Sequence, residues 1–343
     1  MATIDITTFP TFILLQDVPS VYISTEEESL NVSISVDGTE VYAETLYAYG
    51  GKVTIHSLKE LIESDMFVSQ KALSTVSITA EDSVLAEFRV LYSSAVITGL
   101  DVDSFAQHCF LSFLRSKRVP TSYSDTLFMV ADTSETYTLK LLYNDADGSL
   151  QSSTIDGNTS ASIGLFCIAI DVAACQKTLD KGATLLAIAV TCGARRYRYY
   201  IDKSLDVNSR LFTCINNFNV PETLCLQGES ELKYKVTRSQ AMCSGVTSFY
   251  DTSITDTAEF NTASIPASET EALKQLLSSS KVMMSAAGSE PQEILITESS
   301  YSVQDPTTAL GSVKFTYQYP TGHQLAATSQ GRIFTQEFTA QFK

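Results

Sequence analysis

Proton transfer near neutral pH falls first to histidine, and this chain holds three: His56, His108 and His323. His56 closes a strand-like run, and His323 follows a Pro320-Thr321-Gly322 turn. His108 precedes Cys109, so it alone stands beside a nucleophile. Adjacent residues on a strand point to opposite faces, and an extended backbone there would part the pair. No Cys-x-x-Cys or His-Glu-x-x-His spacing occurs, which leaves zinc without its usual ligand sets. A P-loop, a Gly-x-Gly-x-x-Gly run and a Gly-x-Ser-x-Gly elbow are also absent. Asp145-Ala146-Asp147-Gly148 has part of a calcium loop's spacing but no glutamate near the twelfth loop position, so it reads as a hairpin turn.

The 39 acids offer many pairs for glycoside cleavage, and the sequence favours none. Glu26-Glu27-Glu28 reads as a solvated loop. Arg195, Arg196 and Arg198 form the one basic cluster. Alternation puts Arg196 and Arg198 on one strand face and Arg195 on the other. An exposed strand face is the first reading of this cluster, and an ion-pair patch at an interface is the alternative. The chain has no Trp, which weakens a sugar-stacking surface, but 16 Tyr residues keep that idea open. No catalytic residue, cofactor site or metal site is assigned, and a non-enzymatic role is expected.

The elements that would carry any function are mostly strands. Thr, Ser, Val, Tyr and Phe are abundant, as suits pleated, half-buried surfaces. Leu30–Val36 alternates strictly, and Asp37-Gly38 turns it into Glu40–Tyr47, a hairpin pattern. A turn at Tyr49-Gly50-Gly51 leads into a strand at Lys52–His56. Ser57-Leu58-Lys59-Glu60 has capping-box spacing and predicts a helix to about Asp65. Strands at Thr75–Thr79 and Val84–Leu91 complete a first unit, 1–95. In a middle unit, 96–210, Ser104–Leu114 reads as a short helix or a buried strand. Strands are expected at Tyr137–Tyr143, Thr184–Val190 and Arg195–Ile201, the last two flanking a Cys192-Gly193 turn. The apolar run Ser162–Ile170 predicts a strand covered on both faces.

The last unit, 211–343, predicts strands at Thr223–Gln227, Lys233–Thr237 and Ser248–Thr252 with turns between them. Ser268-Glu269-Thr270-Glu271 is a second capping box, opening a helix with Ala272, Leu273, Leu276 and Leu277 on one stripe. Strands at Glu293–Thr297 and Val313–Tyr319 follow. The expected fold is mainly β with a few short helices (all-β to α+β): tandem β-sandwich-like domains, each with about one flanking helix. First and last units share an order of strands, helix, strands, which reads either as an internal duplication, with no residue signature behind it, or as coincidence between two common β-rich folds. Phe334, Phe338 and Phe342 alternate on a terminal strand that either completes its own domain or forms an assembly arm adding a strand to a neighbour.

Hydrophobic residues make up 44% and charged residues only 18%, enough apolar mass for packed cores and too little charge for wholesale disorder. The net charge of −16 is uneven. Residues 1–95 carry 14 acids and 4 bases, residues 96–211 carry 12 and 11, and residues 212–343 carry 13 and 8. Such a first third repels phosphate and disfavours a nucleic-acid reader. Met1–Leu15 has no basic stretch and no signal core, and no apolar run approaches the ~20 residues of a membrane span. Seven cysteines, odd in number and set in apolar stretches, suggest reduced thiols made in a cytoplasm, and the sequons at Asn31 and Asn158 read as chance.

The order of motifs resembles a group of phage or prophage virion proteins of gut Bacteroidales, mostly hypothetical or tail-related. The N-terminal part carries Phe12–Leu15, Val32–Val36 and Leu46-Tyr47-Ala48-Tyr49-Gly50-Gly51-Lys52-Val53-Thr54-Ile55 before Leu58–Ile62. The later part carries Phe218-Asn219-Val220-Pro221-Glu222-Thr223, Arg238-Ser239-Gln240-Ala241, Glu271–Ser279, Glu293–Thr297 and Phe315-Thr316-Tyr317. The likeness is strongest beyond residue 210. It implies a structural protein of the tail tip, distal tail or baseplate, located in the virion tail. The implied partners are copies of itself, as in a hexameric ring, and other tail proteins, with DNA passing unbound and no membrane. A glycan-binding adhesion module and a tail-associated glycan hydrolase are the alternatives.

Overall fold

Asp37 and Gly38 both take positive φ, 49° and 80°, the two left-handed positions of the tight turn that the hairpin pattern demands. In the computed structural model, residues 3–4 and 12–320 are described, apart from 82, 95–96, 98, 113, 163, 208, 244, 263–264, 287–288 and 306–309. His323 and the arm residues Phe334, Phe338 and Phe342 lie outside the described residues. The fold is mainly β, with several sheets, a small barrel and four α-helices among the described residues.

The first part comprises β1 (Thr3–Ile4), β2 (Phe12–Leu14), β3 (Val21–Ser24), β4 (Ser29–Val36), β5 (Thr39–Tyr47), β6 (Lys52–Ile55), α1 (Leu58–Ser69), β7 (Leu73–Ala80) and β8 (Ser83–Leu91). A five-stranded sheet runs β2-β8-β7-β4-β5 and a three-stranded sheet runs β1-β3-β6. Val32, Ile34, Val76 and Ile78 of the larger sheet share one core with Val21, Ile23 and Val53 of the smaller and with Leu58, Ile62 and Met66 of α1. That stripe, repeating every fourth residue, carries α1 a turn beyond Asp65. Ser57 precedes the helix as expected, but its side chain makes no capping bond.

The middle part comprises α2 (Val102–His108), β9 (Ser116–Val119), β10 (Ser124–Val130), β11 (Thr136–Asn144), β12 (Leu150–Asn158), β13 (Ser160–Ser162), β14 (Leu165–Asp171), α3 (Val172–Lys177), β15 (Thr184–Cys192) and β16 (Arg195–Ile201). Its sheets run β12-β11-β15-β16-β9 and β10-β14-β13. The ambiguous stretch near His108 is helical, capped by Asp101, whose Oδ1 accepts from the Ser104 N–H at 2.7 Å. The strand expected over Ser162–Ile170 begins at Leu165 and alternates. Phe166, Ile168 and Ile170 are buried, whereas on the opposite face Leu165 and Cys167 are half-buried and Ala169 is exposed, so the second face is covered only in part. β10 and β13 flank it edge to edge, and its inner face packs in the core shared with the large sheet.

The last part comprises β17 (Ser209–Ile215), β18 (Pro221–Cys243), β19 (Val246–Thr262), β20 (Ile265–Pro266), α4 (Ala267–Ser278), β21 (Val282–Ala286), β22 (Gln292–Asp305) and β23 (Leu310–Gln318). The order β19-β18-β17-β21-β22-β23 closes on itself through β19–β23 pairing, giving a six-stranded antiparallel barrel. Phe212, Phe260 and Phe315 fill it, with centroids 5.2–5.5 Å apart, and Ala272, Leu273 and Leu276 of α4 pack on the same core. Three short strands were expected where β18 and β19 run unbroken. Gly228 is no turn: a Cβ there would meet the Asn261 carbonyl and the Phe260 ring, so glycine lets β18 pass close against β19. One buried cluster extends from Phe110 to Tyr317 through both middle and last parts. A second joins Phe12, Leu14 and Leu91 to Phe105, Val130, Phe218 and Val220.

Candidate functional site

Of the described residues singled out for chemistry, His108, Cys109 and Arg196 line one cleft, and the others lie apart from it. His108 ends α2 with Nδ1 2.8 Å from the Ser104 carbonyl, while Cys109 caps the helix. His56 lies exposed beyond β6. The Asp145 carboxylate is taken up by its own turn: Oδ1 accepts from the Asp147 and Ser149 N–H groups, both at 3.0 Å, and Oδ2 from the Ser149 hydroxyl at 2.6 Å. These bonds, the Ser149 hydroxyl first, hold its pKa below the ordinary aspartate value. Gly148 at φ 82° completes the hairpin turn read from the sequence. Among the described residues no group of three His, Cys, Asp or Glu side chains could hold a metal ion.

A different cluster, not anticipated from the sequence, forms where the middle sheets meet the barrel. Lys117 of β9, Asp125 of β10 and Glu222 of β18 have side chains only 5%, 4% and 6% exposed. The Lys117 ammonium donates to Asp125 Oδ2 at 2.9 Å and lies 3.5 Å from Glu222 Oε1. The Tyr199 hydroxyl donates to Asp125 Oδ2 at 3.0 Å, and the Thr126 N–H to Oδ1 at 2.9 Å. Glu222 accepts from Ser112 Oγ at 2.6 Å and from Asn216 Nδ2 at 3.0 Å. Burial alone favours a neutral amine on Lys117. The oxygens of Tyr123, Asp125, Tyr197 and Glu222 outweigh it and hold the proton well above the usual lysine range. Burial likewise drives the Tyr123 and Tyr199 hydroxyls upward. The one available signal was alternation: Lys117 shares its strand face with Val119, an apolar position, although it sits in a basic run.

The arginines divide as alternation requires. Arg196 and Arg198 are exposed, whereas Arg195 is 2% exposed. Its Nη1 donates to both Glu135 oxygens, at 3.0 and 2.9 Å. Nη2 donates to the Val130 carbonyl at 2.9 Å and to the Ala106 carbonyl. Arg195 thus pins α2, β10 and the start of β11 to one point, a structural use rather than a patch. Beside it, Cys192 is pushed up to about 11, by burial first and then by the Glu135 charge. A cleft of about 570 Å³ lies where α2 meets β16, apolar at Phe105 and Phe218 and basic at Arg115 and Arg196.

The surface holds the more unusual feature. β18 pairs with β17 only over Pro221–Gln227, and β19 pairs with β23 only over Ala258–Asn261. Beyond those points the two continue as a two-stranded ribbon, from Leu232 opposite Ala258 to Cys243 opposite Val246. At ~3.4 Å per residue it reaches roughly 40 Å from the barrel. Leu232, Val236, Met242, Val246 and Phe249 are all at least half exposed on it. Among the described residues, β5 and β12, nine residues each, form one unpaired edge of their sheets. No family model matches the chain, and no curated protein matches it.

Proposed function

We propose that the chain is a structural subunit of a phage tail tip or baseplate, forming a ring or other homo-oligomer that links the tail tube to the receptor-binding apparatus. The ribbon carries this reading. A lone two-stranded hairpin is at best marginal in water, and among the described residues this one holds apolar side chains in solvent with both outer edges unpaired. A neighbouring subunit that covers it supplies the missing strand partners and buries the exposed Leu, Val, Met and Phe. The barrel offers a rigid base for such a ribbon, because closure leaves it no edge of its own. The resemblance is strongest in this part of the sequence. In a ring, the acidic first third would line a passage through which DNA slides without adhering.

Light scattering tests the assembly. The full chain is expected as a discrete oligomer. A variant in which Asn-Gly joins Lys233 directly to Thr257, its partner across the ribbon, is expected as a folded monomer. Equal masses for the two would remove the ribbon from assembly. Tail-tube and tape-measure genes beside this gene are the expected neighbourhood, and their absence would remove the phage assignment. A glycan-binding module is favoured by one observation, the outward Tyr47 and Tyr49, 81% and 93% exposed at the end of β5. Binding on a glycan array that Tyr49→Ala abolishes would support it.

A further inference from the structure

We propose that Lys117 and Asp125 condense into an internal isopeptide bond, with Glu222 as the proton shuttle. This inference concerns the junction of the middle sheets with the barrel and stands independently of assembly. The reaction needs an amine and a carboxyl held in contact in dry surroundings, a base to take a proton from nitrogen, and a donor for the carbonyl oxygen. All four are in place. Nζ lies 2.9 Å from Asp125 Oδ2, and the rings of Tyr123, Tyr197 and Tyr199 are buried in the same core. Glu222 Oε1 is 3.5 Å from Nζ. The Thr126 N–H holds Oδ1, the oxygen that remains.

The steps balance without any co-reactant. The ammonium passes one proton along its 2.9 Å hydrogen bond to Oδ2, against the surrounding oxygens that hold it on nitrogen, and the minor population of neutral amine beside neutral acid is the form that reacts. The nitrogen lone pair forms a bond to Cγ, and the carbonyl π pair moves to Oδ1. Glu222 takes a proton from nitrogen and delivers it to the Oδ2 hydroxyl. The Cγ–Oδ2 bond then breaks, water leaves, and Oδ1 returns to a carbonyl. Ammonium and carboxylate have become amide and water, with Glu222 unchanged. A cavity of about 20 Å³ lined by Lys117, Arg118, Leu224 and Leu273 can take one water.

Two features separate this arrangement from an ordinary ion pair. Burying two opposite charges is a weak stabiliser at best, and the amide removes both charges from the core. The cluster also holds a second carboxylate in excess of what one lysine needs, held in position by Ser112 and Asn216. Since Glu222 arrives on β18, the shuttle is assembled only when barrel and middle sheets have packed, so bond formation follows folding. The product ties β9, a four-residue strand that among the described residues pairs only with β16, to β10 of the opposing sheet.

Intact-mass spectrometry of the purified full chain tests this. The expected mass is one water below that of the sequence. Trypsin should then release Ser116–Arg118 joined to Val119–Lys140 as one branched peptide, uncut at Lys117. Asp125→Asn should reach the same cross-linked mass by losing ammonia. Glu222→Gln, with folding checked by circular dichroism, should keep its full mass. A wild-type chain at full mass with Lys117 cleaved by trypsin overturns the proposal, whatever the variants do. Loss of water mapped to other residues overturns it equally. A folded Glu222→Gln chain that still loses water overturns the role of Glu222.

Discussion

Arg195 shows how much one side chain can decide in a β-rich core. It satisfies two backbone carbonyls and a carboxylate from three separate elements. Arg195→Met keeps most of the stem and removes every donor, so it should destabilise the fold by about 3 kcal/mol in urea unfolding, the cost of leaving two buried carbonyls without a donor. Arg196→Met, on the exposed face, should change stability by less than about 0.5 kcal/mol. The thiols give a pH prediction. Burial pushes Cys214 up to about 12, against an unfolded cysteine near ~8.5. Between those values the folded state binds the extra proton, so stability falls as pH rises from about 9 to about 12. Denaturant midpoints across that range should decline more steeply for the parent than for Cys214→Ala. Alternation separated Arg195 from Arg196 and Arg198 in the sequence. It could not show which face was the core, because Glu135 and Val130 lie far back along the chain.

Elements were legible where their causes are local. Asp37-Gly38 and Asp147-Gly148 each name their turn, and the stripe of Leu58 and Ile62 names α1. The stripe of α4 was equally plain, although the helix begins at Ala267 and encloses the second Ser-x-x-Glu pattern in its first turn. Reading failed where long-range packing overrides local preference. Gly228 reads as a turn until Phe260 and Asn261 are seen against it. Gly228→Val should cost about 1–3 kcal/mol through overpacking and lower the thermal midpoint, whereas Gly245→Ala at the open ribbon tip meets no neighbour and risks only its φ of 76°. Closure of the barrel rests on Phe260 meeting Phe315, a pairing that alternation permits and cannot specify. The Lys117 cluster was illegible for the same reason: its three charged members come from three strands.

At the scale of the molecule, charge and edges act together. A chain of net charge −16 repels its copies, and β5 carries Glu40 and Glu44 exposed along its open edge. The proposed self-association should therefore strengthen with salt. Light scattering at about 0.05 M and 0.5 M should show the larger oligomer fraction at the higher value, where the Debye length falls to a few ångströms. Loss of the oligomer at high salt would point instead to charge attraction as its glue. The barrel seam has a further mechanical consequence. A partner gripping the ribbon and pulling along its length would strain the β17–β18 and β19–β23 ladders in shear, with many hydrogen bonds resisting at once. A tug across the ribbon would open them singly, like a zipper. The projection is thus stiff under axial tension and weak to peeling, the mechanical character of a tether.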